Sequence, residues 1–310
     1  MSGALPDAPQ RPGSQEPRDE ARAPRVGDGR GRAWPRRLLR TDRQIAAALS
    51  ILGALVIMAV LGPTLWRHSP TATYLADSLA APSTAHPMGT DSNGRDIFAR
   101  FIRGAGISIS AGATVVFVGA LLGGALGLVA GLARGIVDSV AMRVMDALLA
   151  FPALILAMAI TIGLGVGIVS ACAGLVLSTI PWYARLIRSE VLRVSQLPFI
   201  EAARAVGAAP GRIARRHVVP HVMPTLLVQA AGAFGYSIVA LAALGFIGVG
   251  AQIPTPEWGA MITDGLPYTL TGQWWISVCP GLGLMLLVVA ANLLADRVRD
   301  VLDPRGGYAR

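Results

Sequence analysis

The chain contains no lysine; all 27 basic residues among its 310 are arginine. That absence removes two kinds of chemistry. A Walker A loop needs a Lys to reach the nucleotide phosphates, and a Schiff-base mechanism needs a Lys amine. If ATP drives this protein, another polypeptide binds it. Charge is also scarce: 15% of residues are charged, against about 25% in a soluble domain. Aromatic residues make up 6%, and few lie among the arginines. The net charge of +9 therefore does not describe a nucleic-acid-binding face. The two cysteines, Cys172 and Cys279, lie at or near apolar runs and read as packing residues, not as a disulfide framework.

What remains is apolar: 53% of residues are hydrophobic and the mean hydropathy is +0.56. Residues 1–44 hold ten Arg and six acidic residues without apolar periodicity, the pattern of a disordered tail. Residues 45–65 carry no charge over 21 positions, enough to cross a hydrocarbon core of about 30 Å. Uncharged stretches follow at 104–133, 147–184, 222–256 and 276–295. The second of these is long enough for two helices, with Gly163–Gly167 as the turn between them. The expectation is an all-α integral membrane protein with six transmembrane helices. Both termini inside puts 23 arginines on the cytoplasmic side and leaves Arg67, Arg95, Arg100 and Arg103 outside, as the positive-inside rule prefers. The implied divisions are a cytoplasmic tail at 1–44, a first helix with an extracytoplasmic segment at 45–103, a five-helix domain at 104–296 and a cytoplasmic tail at 297–310.

The cytoplasmic segment 185–221 is long for a helix connection, and such loops are usually functional. Pro198 can start a short helix. Phe199, Ala202, Ala203 and Val206 fall at i, i+3, i+4 and i+7 and form one apolar face, with Glu201 and Arg204 off it. Gly207 can supply the C-terminal turn. A second short helix starts near Pro210, carries Arg212, Arg215 and Arg216, and ends at Pro220. Composition leaves two readings open: a hairpin on anionic headgroups, or a docking element for a partner.

Glu201-Ala202-Ala203, Gly207 and Pro220 resemble the EAA loop of binding-protein-dependent ABC importer permeases. His217-Val218-Val219-Pro220 is similar to the peptide-importer branch. Further segments resemble the C-type permease of dipeptide and oligopeptide importers: His86-Pro87-Met88-Gly89-Thr90-Asp91 with Asn93-Gly94-Arg95-Asp96, Met142-Arg143-Val144-Met145-Asp146 through Phe151-Pro152, Pro256-Glu257-Trp258-Gly259, and Leu302-Asp303-Pro304-Arg305. The resemblance covers about 41–306. It implies a type I ABC importer permease fold and a coupling helix carrying Phe199, Glu201, Ala202, Ala203, Arg204, Gly207 and Pro220. It also implies a homologous second permease, two ATPase subunits or domains that bind ATP and Mg, and an extracytoplasmic substrate-binding protein, in the cytoplasmic membrane of a bacterium. The implied cargo is di- or oligopeptides, with nickel, haem or another small solute as alternatives. No catalytic residue, cofactor or metal of this chain's own is expected.

Gly119, Gly123, Gly127 and Gly131, four apart, form a small-residue stripe that permits close helix approach. No Asp, Glu, Lys or Arg lies in the middle of a proposed span, which weakens the proton-coupled secondary transporter. Gln229, Ser237 and Asn292 read as helix–helix hydrogen bonders. His217 and His221, at i, i+4, have no third ligand, and His68 and His86 are equally unsupported. Trp274 and Trp275 read as an interfacial belt. The outer segments 66–103 and 250–275 are long enough to dock a binding protein.

Overall fold

The computed structural model describes residues 43–302; residues 1–42 of the N-terminal tail, and Asp303, Pro304 and Arg305 of the last motif, lie outside them, while Arg43 and Gln44, read as tail, already belong to the first helix. Helix α1 spans Arg43–Leu65, α2 Ile97–Ala133, α3 Gly135–Leu149, α4 Ala153–Leu164 and α5 Ile168–Val194. Then come the short α6, Pro198–Ala205, and α7, Pro210–Ile213, a π-helical turn at Ala214–Val218, and α8, Val219–Phe246. Helices α9, Trp258–Thr269, and α10, Trp275–Leu302, complete the described residues, which contain no β-strand beyond a single bridge between Thr90 and Asp96.

Five helices are long and apolar enough to cross a membrane: α1, α2, α5, the continuous stretch Pro210–Phe246, and α10. A sixth crossing exists only if α3 and α4 count as one broken span, because they meet at 92°. The reason is length. The 12 residues of α4 rise about 18 Å, well short of a hydrocarbon core. The turn between α4 and α5 falls at Gly165–Gly167, and Gly163 stays helical. Two other boundaries move. Helix α2 begins at Ile97, so a division at 103/104 falls inside it. The fifth span ends at Phe246, and the loop after it contains α9.

The chain has two ends. At the cap end, residues 66–96 fold against α9 and the start of α10. The Asp96 side chain caps α2 by accepting from the Ala99 N–H at 3.0 Å, the ordinary N-cap interaction. It also accepts from the Trp66 indole at 2.7 Å. Asp91 accepts from Arg95 Nε at 2.6 Å and from the N–H groups of Asn93 and Arg95. Arg100 donates to the carbonyls of Pro70 and Pro254. Glu257, buried, caps α9 by accepting from the N–H groups of Gly259 and Ala260, both at 2.9 Å, and takes the Ser108 hydroxyl of α2 at 3.3 Å. Burial pushes its carboxyl above the usual range, opposed by those three donors. Trp258 is fully buried and donates to the Phe101 carbonyl at 3.1 Å.

Part of the expected outer docking surface is internal: Asp91, Arg95, Asp96, Arg100 and Glu257 are buried and bonded within the cap, while Arg67, Asp77 and Arg103 stay exposed. Trp275 is also not an interfacial anchor. It is buried and donates to the Thr90 carbonyl at 3.1 Å, while Trp274 stays exposed. Ser237 bonds within its own helix, to the Ala233 carbonyl. His68 and His86 come together at 5.4 Å between ring centroids, and His86 Nδ1 lies 3.1 Å from Asp96.

The glycine stripe of α2 faces α5. A Cβ at Gly119 would lie 2.6 Å from the Thr179 hydroxyl, and one at Gly123 would lie 2.7 Å from the Ile180 carbonyl. One at Gly127 would meet the Ala184 carbonyl and the Arg188 amide, and one at Gly131 would meet the Val191 side chain. Four glycines in register let two spanning helices touch backbone to backbone, where dispersion replaces the missing hydrophobic drive.

Candidate functional site

At the other end, α5 runs into the segment 195–221. Leu197 is extended and Pro198 opens α6, where a missing N–H costs nothing. Glu201 lies in the first turn and Arg204 in the last, each on the side the helix dipole favours. The helix closes at Gly207, whose φ is +78°. Its N–H donates to the Arg204 carbonyl at 2.9 Å and the Ala208 N–H to the Ala203 carbonyl at 3.0 Å, the two bonds of a Schellman motif.

The apolar residues of α6 divide between two faces. Ile200 is 0% exposed and packs with Ile187, Val191 and Val194 of α5 and with Ile213, Val218 and Val222 beyond it. Ala203 is half-buried beside that cluster. Phe199, Ala202 and Val206 face outward, Val206 at 83% exposure. The four-residue apolar face read from sequence is thus split: Ala203 turns inward with Ile200, which lies outside the i, i+3, i+4, i+7 series. An i, i+3 pair of Ile200 and Ala203 was the available signal. Glu201 and Arg204 are exposed next to the outward face. Phe199 stacks on His221 with centroids 5.0 Å apart, and His221 Nδ1 lies 2.7 Å from the His217 carbonyl.

Pro220 does not end a helix. It sits in the first turn of α8, and the helix runs on from Pro210. A proline inside a helix clashes with the carbonyl four residues earlier. The π turn at Ala214–Val218 widens the chain just ahead of that position. Arg212, Arg215 and Arg216 border an open hollow beside it. A groove of ≈ 780 Å³ opens between α5, α8 and the end of α10, lined by residues including Glu190, Arg193, Thr225, Gln229 and Arg299.

A bundle of spanning helices with a short capped helix displayed at one end describes a multi-pass membrane protein. The family described as binding-protein-dependent transport system inner membrane component matches residues 123–307, and the chain belongs to it. It is 40% identical to the probable D,D-dipeptide transport system permease protein of Escherichia coli (strain K12), over 83% of this chain and 86% of that one. It is 37% identical to the dipeptide transport system permease protein of Alkalihalophilus pseudofirmus, over 86% and 88%. It is 38% identical to the glutathione transport system permease protein of Pectobacterium atrosepticum, over 88% and 91%. Among solved structures, the MetNI methionine ABC transporter in inward-facing conformations matches with a TM-score of 0.52 at 23% identity, covering 65% of this chain and 95% of that one. The fold is that of a type I ABC importer permease, and the protein is a multi-pass membrane permease.

Proposed function

We propose that this chain is the permease subunit of an ATP-driven peptide importer and that α6 is where a separate ATPase docks. The observation that carries the reading is the outward face of α6. Phe199, Ala202 and Val206 stand exposed, as do Glu201 and Arg204, on a helix fixed from behind by Ile200. A short rigid helix with an exposed apolar face and nearby charges suits a groove on a partner. The peptide cargo is argued from the dipeptide and glutathione permeases that the chain resembles. The same reading supplies two ATPase subunits that hold ATP and Mg, a homologous second permease forming a heterodimer, and an extracytoplasmic binding protein. This chain then does no covalent chemistry. It orients the α6 end and both termini to the cytoplasm, with the arginines of 185–221 on that side.

Two substitutions test the docking face. Glu201→Ala removes a charged flank. Gly207→Val forces a β-branched residue into the left-handed region, a strain of about 1–2 kcal/mol, although open space surrounds the position. Each is expected to lower dipeptide uptake by roughly tenfold, the effect of losing a docking contact worth about 1.4 kcal/mol or more, with membrane insertion unchanged. Normal uptake in both would sink the docking assignment. Uptake that collapses with an uncoupler while ATP is held constant would instead indicate a proton-driven carrier.

A further inference from the structure

Near the α6 end, α3 and α5 are joined by two ion pairs. Asp138 accepts from Arg188 twice, from Nε and from Nη2, the latter at 2.6 Å. Asp146 and Arg185 Nη2 approach to 2.8 Å. The first pair is the planar two-bond fork that fixes direction as well as distance, and its side chains are 15% and 32% exposed. The second is half-exposed and contributes little alone.

Helix α3 is otherwise loosely attached along the chain. It meets α2 through two successive left-handed residues, Arg134 at φ 53° and Gly135 at φ 61°. Nothing lies within 4 Å of a Cβ built on Gly135, so that joint is unobstructed. At its other end α3 meets α4 across the 92° bend. Met145, with Met142 and Leu148, packs on a cluster that includes Leu175, Val176, Ile180 and Ala184 of α5. Apolar contact of this kind allows sliding; a fork does not. On a different side of the same last turns of α5, Ile187, Val191 and Val194 hold Ile200 of α6. Helix α5 runs without a break through both attachments, beyond Pro181.

We propose that the Asp138–Arg188 fork, supported by Asp146–Arg185, clamps α3 to the end of α5, so that a displacement of α6 is carried through α5 into α3 and across the bend into α4. Asp138 and Arg188 are then positioning residues for transport. The proposal rests on the reading of α6 as the point where energy enters.

The test uses the full complex with its ATPases in proteoliposomes, with labelled dialanine as the probe. Asp138→Asn is expected to lower uptake by about tenfold while ATP hydrolysis stays within about twofold, a loss of coupling of ordinary size. The swap Asp138→Arg with Arg188→Asp is expected to recover most of the uptake. Independently of cargo, spin labels at Val140 of α3 and Ser189 of α5 should give one narrow distance, unchanged between the resting and vanadate-trapped states, and a broad one in Asp138→Asn. A distance that changes on trapping in the unmutated clamp overturns the proposal, as does a parallel fall of uptake and hydrolysis. If no ATPase copurifies, the docking reading fails by itself. The resting distance still judges the clamp: a broad one in the wild type, or no broadening in Asp138→Asn, overturns it.

Discussion

Gly127→Ala should leave little folded protein in the membrane, and no truncation on α5 should restore it. The added Cβ meets backbone: the Ala184 carbonyl, with the Ala184 carbon and the Arg188 nitrogen each at 3.0 Å. Those atoms belong to the α5 hydrogen-bond ladder and cannot retreat singly. Overpacking at a yielding site costs about 1–3 kcal/mol; here the two helix axes must separate along the whole stripe, so the loss lies at or above that range. Gly119→Ala provides the contrast. Its nearest obstacle is the Thr179 hydroxyl at 2.6 Å, with Thr179 Cβ at 3.7 Å. Gly119→Ala should therefore be rescued by Thr179→Ala, which removes that hydroxyl. Gly163→Leu, with nothing within 4 Å, should be neutral. The measurement is the yield of protease-resistant protein in membranes. Wild-type yield from Gly127→Ala, or failure of the Thr179 rescue, would refute the backbone-contact account.

The same stripe shows what a sequence can and cannot disclose. Four glycines at a spacing of four announce close approach in a bilayer, but nothing in that spacing names α5 as the partner. The uncharged runs located α1, α2, α5, α8 and α10 because lipid demands length and lack of charge together. The same criterion was blind to α3. Asp138, Arg143 and Asp146 lie in the gap between the uncharged runs 104–133 and 147–184, whereas Asp138 and Asp146 bond to arginines of α5 and allow a helix there. Helix α9 was hidden by its 12-residue length and by Pro267. Glu257 is the clearest case. It falls outside every span by sequence, yet it packs against Ser108 of α2 and beside Gly245 of α8. Its bonds to the start of α9 and from the Ser108 hydroxyl make that burial tolerable. For α6, the start at Pro198 and the turn at Gly207 were legible from local chemistry. Which side faces inward was not, because that depends on Ile187, Val191 and Val194, which reach Ile200 from another helix.

Asp91→Ala is expected to open the cap. Arg95 and Arg100 are only 3% and 2% exposed, and Asp91 is the acid closest to both, at 2.6 Å from Arg95 Nε and 3.7 Å from Arg100 Nε. Asp264 stands 4.0 Å from each. Burial holds its carboxyl above the usual range although both arginines pull it down. Without Asp91, two buried guanidinium groups share one distant carboxylate, and the Asn93 and Arg95 amides lose their acceptor. Removing one partner of a buried pair costs about 3–5 kcal/mol. Asp264→Asn, at a partly exposed position, should cost about 1 kcal/mol or less. Trypsin added on the cap side reads the difference directly, because it cuts after arginine. The chain after Arg95 and Arg100 should be resistant in the parent and in Asp264→Asn, and cleaved in Asp91→Ala. Adding Arg95→Ala to Asp91→Ala removes one orphaned charge, so the double variant should lose less than the sum of the two single losses. Additive losses, or resistance at Arg95 and Arg100 in Asp91→Ala, would mean that Trp275 on Thr90 and Trp66 on Asp96, not the charges, hold the cap closed.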